Sequence, residues 1–336
     1  VSSVPAAPAI DPADRVDVLV VGTVFLDVIF SGVAAAPEPG TETWATESVL
    51  CPGGIANNAV AAARLGAATC LVAPVGPDPA GDFLLRSLRG EAHLDVRVPA
   101  LPGVRTPVTA AFGNGADRAM ISHGRLDPVP VGELAPRLPQ ARACFVSLQP
   151  GGDDWFAAQR AGGARVYAGV GYDERHDWSG EVLGRLAGVD ALVLNEIEAL
   201  AYSGRDDVPS AAAALTDHVE RVVVTCGRGG VHSASASASA AAHPPLTLPG
   251  ERVAAVDATG AGDVFTSGLM CADLLGLPTE DALRFAQVCA ALSVRGLGGA
   301  ASAPTLTDVR TWCRDSEVPG LRRIAADLDA RPAPYS

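Results

Sequence analysis

The chain contains no lysine: all 25 of its basic residues are arginine. That absence removes P-loop nucleotide binding, the strand lysine of protein kinases, and every Schiff-base or pyridoxal mechanism, since each needs a primary amine at a fixed place. Positive charge is scarce overall. The 336 residues carry a formal net charge of −13, which argues against a nucleic-acid partner, because phosphate backbones are held by clustered cations. No CxxC pair occurs among Cys51, Cys70, Cys144, Cys226, Cys271, Cys289 and Cys313. Scattered, odd-numbered thiols in apolar runs read as small reduced hydrophobes, and they point to the cytoplasm. Val1–Arg15 lacks both a basic n-region and an apolar h-region. It is expected to be a disordered arm (1–15), neither a signal peptide nor a membrane span.

What is present is alternation. β-branched runs at Asp17–Val21, Thr69–Val75, Ala143–Leu148, Arg165–Tyr167, Ala191–Leu194 and Arg221–Thr225 read as strands. Ala/Leu-rich stretches at Ala56–Leu65, Ala80–Leu88, Ile197–Tyr202, Ala211–Val219, Ala261–Leu275 and Glu280–Val294 read as helices. Such alternation implies an α/β fold, a parallel sheet covered on both faces. One domain is expected over 16–310, followed by a helical segment and tail over 311–336. Two Pro-, Gly- and Thr-rich stretches, about 32–50 and 95–124, break the rhythm and are expected to supply a small β-sheet lid. Ser233–His243, of low complexity, reads as a loop or weak edge hairpin.

Five features carry chemistry. In Asp257-Ala258-Thr259-Gly260-Ala261-Gly262-Asp263, three residues with little or no side chain lead into an apolar helix, so their N–H groups can approach an anion at its positive end. Asp263, in the first turn, can accept the proton of an attacking hydroxyl. By itself the turn reads equally well as a plain helix start. In Pro52-Gly53-Gly54-Ile55-Ala56-Asn57-Asn58 two glycines allow close approach of a ligand and Asn57 offers a donor and an acceptor to a polyol; a helix-capping Asn is the other reading. Asp27 follows the first strand at the end where open α/β sheets bind ligands, and its turn lacks GxGxxG. Asn195 and Glu198, three apart, suit either the water shell of Mg²⁺ or a capping box. Thr225-Cys226-Gly227-Arg228-Gly229-Gly230 closes a strand with a turn able to border a nucleotide.

Taken in this order, the features resemble the ribokinase-like (PfkB) sugar and nucleoside kinase family. The resemblance rests on the Gly-Gly…Asn-Asn-Ala-Val-Ala-Ala-Ala-Arg-Leu-Gly and Asp-Ala-Thr-Gly-Ala-Gly-Asp blocks and spans about Asp17 to Pro304. It implies a three-layer α/β sandwich with a central, mostly parallel sheet and a β-sheet lid. It implies ATP and Mg²⁺, with Asp263 as catalytic base and Gly260, Ala261 and Gly262 as an anion hole. Asn195 and Glu198 would serve the magnesium and phosphate network; Thr225, Gly227 and Gly230 would line the nucleotide site, with Gln287 near the adenine. Asp27, Gly53, Gly54 and Asn57 would hold the acceptor, with Gln149 at a further acceptor position. Many relatives use a monovalent cation; the matching positions are Asp257, Thr259, Ser293, Gly296, Gly298 and Ser302, which makes K⁺ a candidate activator. A homodimer through the lid is a further expectation of the resemblance.

Three departures bear on the acceptor. The Gly-Gly loop is one residue shorter than in ribokinase and carries Ile55, which suggests a more apolar pocket. Gln149 stands where ribokinase has an acidic contact, and Ala168-Gly169-Val170-Gly171-Tyr172 replaces Asp-x-Asn. Phe25, Trp44 and Phe112 would also suit a nucleoside base. The expected acceptor is a sugar, sugar acid or sugar phosphate, with an adenosine-, inosine- or guanosine-type nucleoside as the alternative. A binding-only relative and a hydroxymethylpyrimidine or pyridoxal kinase are weaker readings.

Overall fold

The computed structural model describes residues 15–33, 39–99, 103–113, 118–124, 138–149, 154–171, 178, 180–236 and 245–331. The expected arm lies outside the described residues except for Arg15. In chain order the strands are β1 (Arg15–Val21), β2 (Val24–Ser31), β3 (Glu47–Gly54), β4 (Thr69–Val72), β5 (Leu94–Arg97), β6 (Val108–Gly113), β7 (Arg118–His123), β8 (Gln140–Leu148), β9 (Arg165–Val170), β10 (Ala191–Asn195), β11 (Arg221–Thr225), β12 (Val231–Ser235) and β13 (Leu246–Leu248). The helices are α1 (Ala56–Arg64), α2 (Pro79–Arg89), α3 (Phe156–Ala161), α4 (Gly180–Gly184), α5 (Glu196–Ser203), α6 (Val208–Leu215), α7 (Ala261–Leu274), α8 (Thr279–Ser293), α9 (Gly299–Ser302), α10 (Leu306–Asp315) and α11 (Pro319–Asp329).

Among the described residues, nine strands form one sheet in the order β13-β12-β11-β10-β9-β8-β1-β4-β5. The seven from β11 to β5 run parallel, and β12 and β13 are antiparallel additions. Side-chain alternation along β1 shows why both faces are covered. Val18 and Val20 enter the core shared with α1, α7, α8 and α11, whereas Leu19 and Val21 enter the core shared with α3, α5 and α6. Each such side chain contributes about 1.5–3 kcal/mol when fully buried.

The lid is a separate four-stranded sheet ordered β3-β2-β6-β7. It begins earlier than its Pro/Gly-rich composition suggests: β2 is an apolar run, and it pairs antiparallel with β3 and parallel with β6. Conversely, Leu94–Arg97 pairs with β4 at the edge of the large sheet. Ser233–Ser235 end β12, which pairs antiparallel with β11 and, through Ser233, with edge strand β13, the edge-hairpin alternative for that segment.

Asp78 ties the two sheets together. Its carboxylate caps α2 through the Gly81 N–H at 2.9 Å and accepts from the Thr106 N–H at 2.9 Å, on the segment entering β6. Burial alone would raise this carboxyl, but the N–H bonds from Thr106 and Gly81 outweigh it and hold it below its ordinary 3.8. A depressed carboxyl stabilises the fold above its unfolded value and loses that contribution as pH falls through the folded one. Asp78→Ala is therefore expected to cost ~1 kcal/mol at neutral pH. In urea melts the gap from wild type should close below pH 3.8.

Candidate active site

Helix α7 opens at Ala261 with Gly260 as its N-cap in the left-handed region (φ 69°), and no side chain caps it. The first N–H groups of a helix have no intrahelical acceptor; that of Ala261 donates to the Ala258 carbonyl at 3.3 Å, and those that follow can meet an external anion. Gly262 is exposed, with open space where a side chain would stand. Asp263 follows in the first turn.

Helix α1 packs against this turn from the lid side. Its alanines favour the helix and keep it slim, and every residue from Ala56 to Ala63 is buried. Asn57 donates from Nδ2 to the Asp263 Oδ2 at 3.0 Å, and Asn58 donates to the Asp263 main-chain carbonyl at 3.1 Å. The Ser267 hydroxyl returns a 3.0 Å bond to the Asn58 carbonyl. Two residues before α1, Gly54 takes φ 62° with its bare Cα against the Phe25 ring and the Thr23 carbonyl. The Asp27 carboxylate lies over Gly53, leaving no room there for a side chain. Asp27 thus sits on lid strand β2, opposite Cys51, and not in the turn after β1.

On the other flank, Asp257 and the Gly296–Ser302 loop form a compact oxygen-rich group. Asp257 Oδ1 accepts from the Thr259 N–H at 2.9 Å and hydroxyl at 2.6 Å, while Oδ2 accepts from the Gly298 N–H at 2.9 Å. Ser302 donates to the Gly298 carbonyl at 2.5 Å, and Gly296 closely abuts the Ser302 Cβ. Ser293 keeps its hydroxyl on the Ala290 carbonyl inside α8. Cys51 joins this group to the acceptor side. Burial pushes its thiol up to about 12, helped by the carboxylates of Asp27 and Asp257. It is unreactive at neutral pH.

The nucleotide-type features gather at the carboxyl ends of β10 and β11. Asn195 and Glu198 form a reciprocal capping box, with both bonds at 2.9 Å. This was the plainer of the two readings of that motif. Burial raises the Glu198 carboxyl, the Asn195 N–H bond opposes the rise, and the charge of nearby Asp263 adds to it. Asp263 is therefore close enough to the capping box for its charge to act on Glu198. Thr225 is register partner to Asn195. The Gly227–Gly230 turn (φ 52° and 99° at its ends) packs directly on the Leu248–Gly250 backbone. Gln287 donates to the Pro249 carbonyl at 3.0 Å, so it braces that wall.

Gln149 directly follows β8, and its main-chain carbonyl accepts a 2.7 Å bond from Arg185. Ile55 turns away from the acceptor side into the main core, 6% exposed. Sequence reasoning passed over Asn58, Gly299, Cys51 and Arg64. Gly299 lies against Asn57 and Gly260. Arg64 holds Glu91 through two bonds and the Ala301 and Ala303 carbonyls at 3.0 and 2.9 Å, steadying the cation-type loop. The only local sign of these roles was the doubled Asn and the lone Arg in an alanine run.

The family model described as pfkB family carbohydrate kinase matches residues 17–306. The chain belongs to that family. As a pfkB-family carbohydrate kinase it transfers a phosphoryl group from ATP to a hydroxyl of a sugar-like small molecule. It is 32% identical to a Klebsiella pneumoniae fructokinase over 77% of this chain and 91% of that one. It is 28% identical to a Haemophilus influenzae ribokinase over 87% and 96%. The structure of Arabidopsis thaliana ribokinase complexed with ribose and ATP matches the fold with a TM-score of 0.70 at 23% identity, covering 90% of this chain and 100% of that one. Among the described residues no helix of this kinase is long and apolar enough to cross a membrane.

Proposed function

We propose that the kinase phosphorylates a free sugar, with Asp263 as general base at the uncapped start of α7. The observation that carries this is the grouping of Asp263, the Asn57 amide and the Gly260–Gly262 turn, on which Gly262 is exposed, with Asn57 following the Asp27–Gly53 contact of the lid by four residues. Asp27 and Gly53 orient the acceptor's hydroxyls, and closure of the lid excludes water. Asp263 takes the hydroxyl proton as the oxygen attacks. The N–H groups of Gly260, Ala261 and Gly262 stabilise the negative charge that develops on the transferring group. Gly227, Gly230 and the Pro249 wall border the nucleotide, and Gln287 sets that wall.

Among the described residues no three metal-type side chains converge, which suits Mg²⁺, a cation that keeps its waters and leans on phosphates. Glu198 is the side chain to hold those waters, and the ion supplies charge neutralisation between the donor phosphates. The oxygen donors of Asp257, Thr259, Ser302 and the Gly296–Gly298 backbone suit a hard monovalent cation. We place K⁺ there. Two further readings belong here. Leu50 and Ile121, both exposed and on one face of the lid sheet, support a homodimer through the lid. Seven free cysteines support a cytoplasmic location.

The test is ADP release with Mg²⁺ across free sugars, sugar acids, sugar phosphates and nucleosides. Turnover is expected with a ketose or pentose. Turnover with nucleosides alone would overturn the acceptor class, and silence with ATP bound would overturn the reading. Replacing Na⁺ by K⁺ should raise the rate, and Asp257→Ala should erase that difference.

A further inference from the structure

We propose that Asn57 is a positioning residue for Asp263, the reacting carboxylate, and not chiefly a holder of the acceptor. The inference rests on Asp263 being the base and deepens that reading. Asn57 and Asn58 grip the same residue from consecutive positions of α1: one bonds the Asp263 carboxylate, the other its main-chain carbonyl. Asn57 is 4% exposed and Asn58 fully buried, so neither bond is exchanged freely with water. The Asn57 amide also lies in a slot with glycine walls. A Cβ on Gly260 would stand 2.9 Å from its Nδ2, and one on Gly299 2.8 Å from its Oδ1. Among the described residues Oδ1 has no hydrogen-bond partner. The Nδ2 bond to Asp263 and the glycine walls therefore set the amide's orientation.

The consequence is geometric. Holding Oδ2 fixes the plane of the Asp263 carboxylate, and with it the direction in which the other oxygen meets an incoming hydroxyl. A base misplaced by about an ångström costs on the order of 100-fold. Since α1 follows lid strand β3 after one residue, Ile55, the lid and the residue that orients the base are carried by one continuous stretch of backbone.

The decisive variant is Asn57→Asp, which keeps shape and volume but replaces the donor with a second carboxylate. Asn57→Ser, which cannot reach Oδ2, is run beside it, and thermal melts verify that both are folded. The expected result is a fall in kcat of roughly 10- to 100-fold, with KM for ATP unchanged and KM for the sugar moving far less than kcat. A wild-type kcat, whether or not the sugar's KM rises, would overturn the proposal; with a raised KM, Asn57 would be an acceptor ligand. Asp263→Asn separates the two levels of argument. Activity in Asp263→Asn means the base itself is misassigned. An inactive Asp263→Asn with wild-type kcat in the Asn57 variants removes only the present inference.

Discussion

Asp263→Asn is expected to lower kcat by ~10²–10⁴-fold, the usual worth of a positioned general base, while KM for ATP stays near wild type. The substitution is isosteric, so the first turn of α7 and the bond from Asn57 can both persist through the new amide's oxygen. What disappears is the capacity to accept a proton. A carboxylate at a helix amino terminus contributes about 0.3–1 kcal/mol, too little for its loss to unfold the domain. The main-chain N–H groups at the start of α7 remain. Steady-state ADP release, with ATP affinity measured separately by calorimetry, checks both halves of the expectation. Near-normal turnover would remove Asp263 from the chemistry. A collapse of ATP affinity alongside kcat would make it a nucleotide ligand instead.

Asp273→Ala is expected to cost about 3–5 kcal/mol of stability, the typical consequence of breaking a buried ion pair on one side. Against a total of about 5–15 kcal/mol for an ordinary domain, that is a large share. The Tyr167 hydroxyl and Arg221 Nη1 both donate to Asp273 Oδ2, at 2.6 and 3.0 Å, and the Arg221 and Asp273 side chains are 3% and 5% exposed. Burial, followed by the Asp273 charge, pushes the Tyr167 hydroxyl well above its ordinary range, so it remains a donor. Arg221 has two further buried nitrogens without partners among the described residues. The triple change Arg221→Met, Tyr167→Phe, Asp273→Leu should recover most of the loss, because it removes all three of these buried polar partners together. Asp273 lies ten residues beyond Asp263 along α7, ~15 Å at 1.5 Å per residue. The folded fraction of Asp273→Ala should therefore keep its KM values. Urea midpoints measure the stability effect, and an unshifted midpoint in Asp273→Ala would contradict it.

Much of this molecule was legible in advance, for one reason: the informative features are local. The Gly260–Asp263 turn stands out through the company of the other signature block, since alone it reads equally well as a plain helix start, and the capping box of Asn195 and Glu198 is written in a four-residue spacing. Strand-helix alternation revealed the large sheet because parallel strands are buried on both faces and read as continuous β-branched runs. Where the sequence misled, composition stood in for pairing. β2 is as apolar as a core strand yet belongs to the lid, and Leu94–Arg97 looks like lid yet pairs with β4. A strand's residues state which faces are apolar; they do not state which neighbour supplies the backbone bonds.

The residues alone therefore determined the class of fold, the positions of both signature blocks, and the exclusion of lysine chemistry. Only the tertiary structure decided that Asn57 meets Asp263 across 206 residues of chain, that Asp27 closes over Gly53 from the lid, and that Arg221, Tyr167 and Asp273 share one buried charge balance. The division has a physical cause. Helix caps, turns and hydrophobic periods are set by interactions within a few residues. Hydrogen bonds between distant side chains exist only after the core has brought α1, α7 and the lid together, and burial of apolar surface, which drives that step, is indifferent to which polar groups it will align.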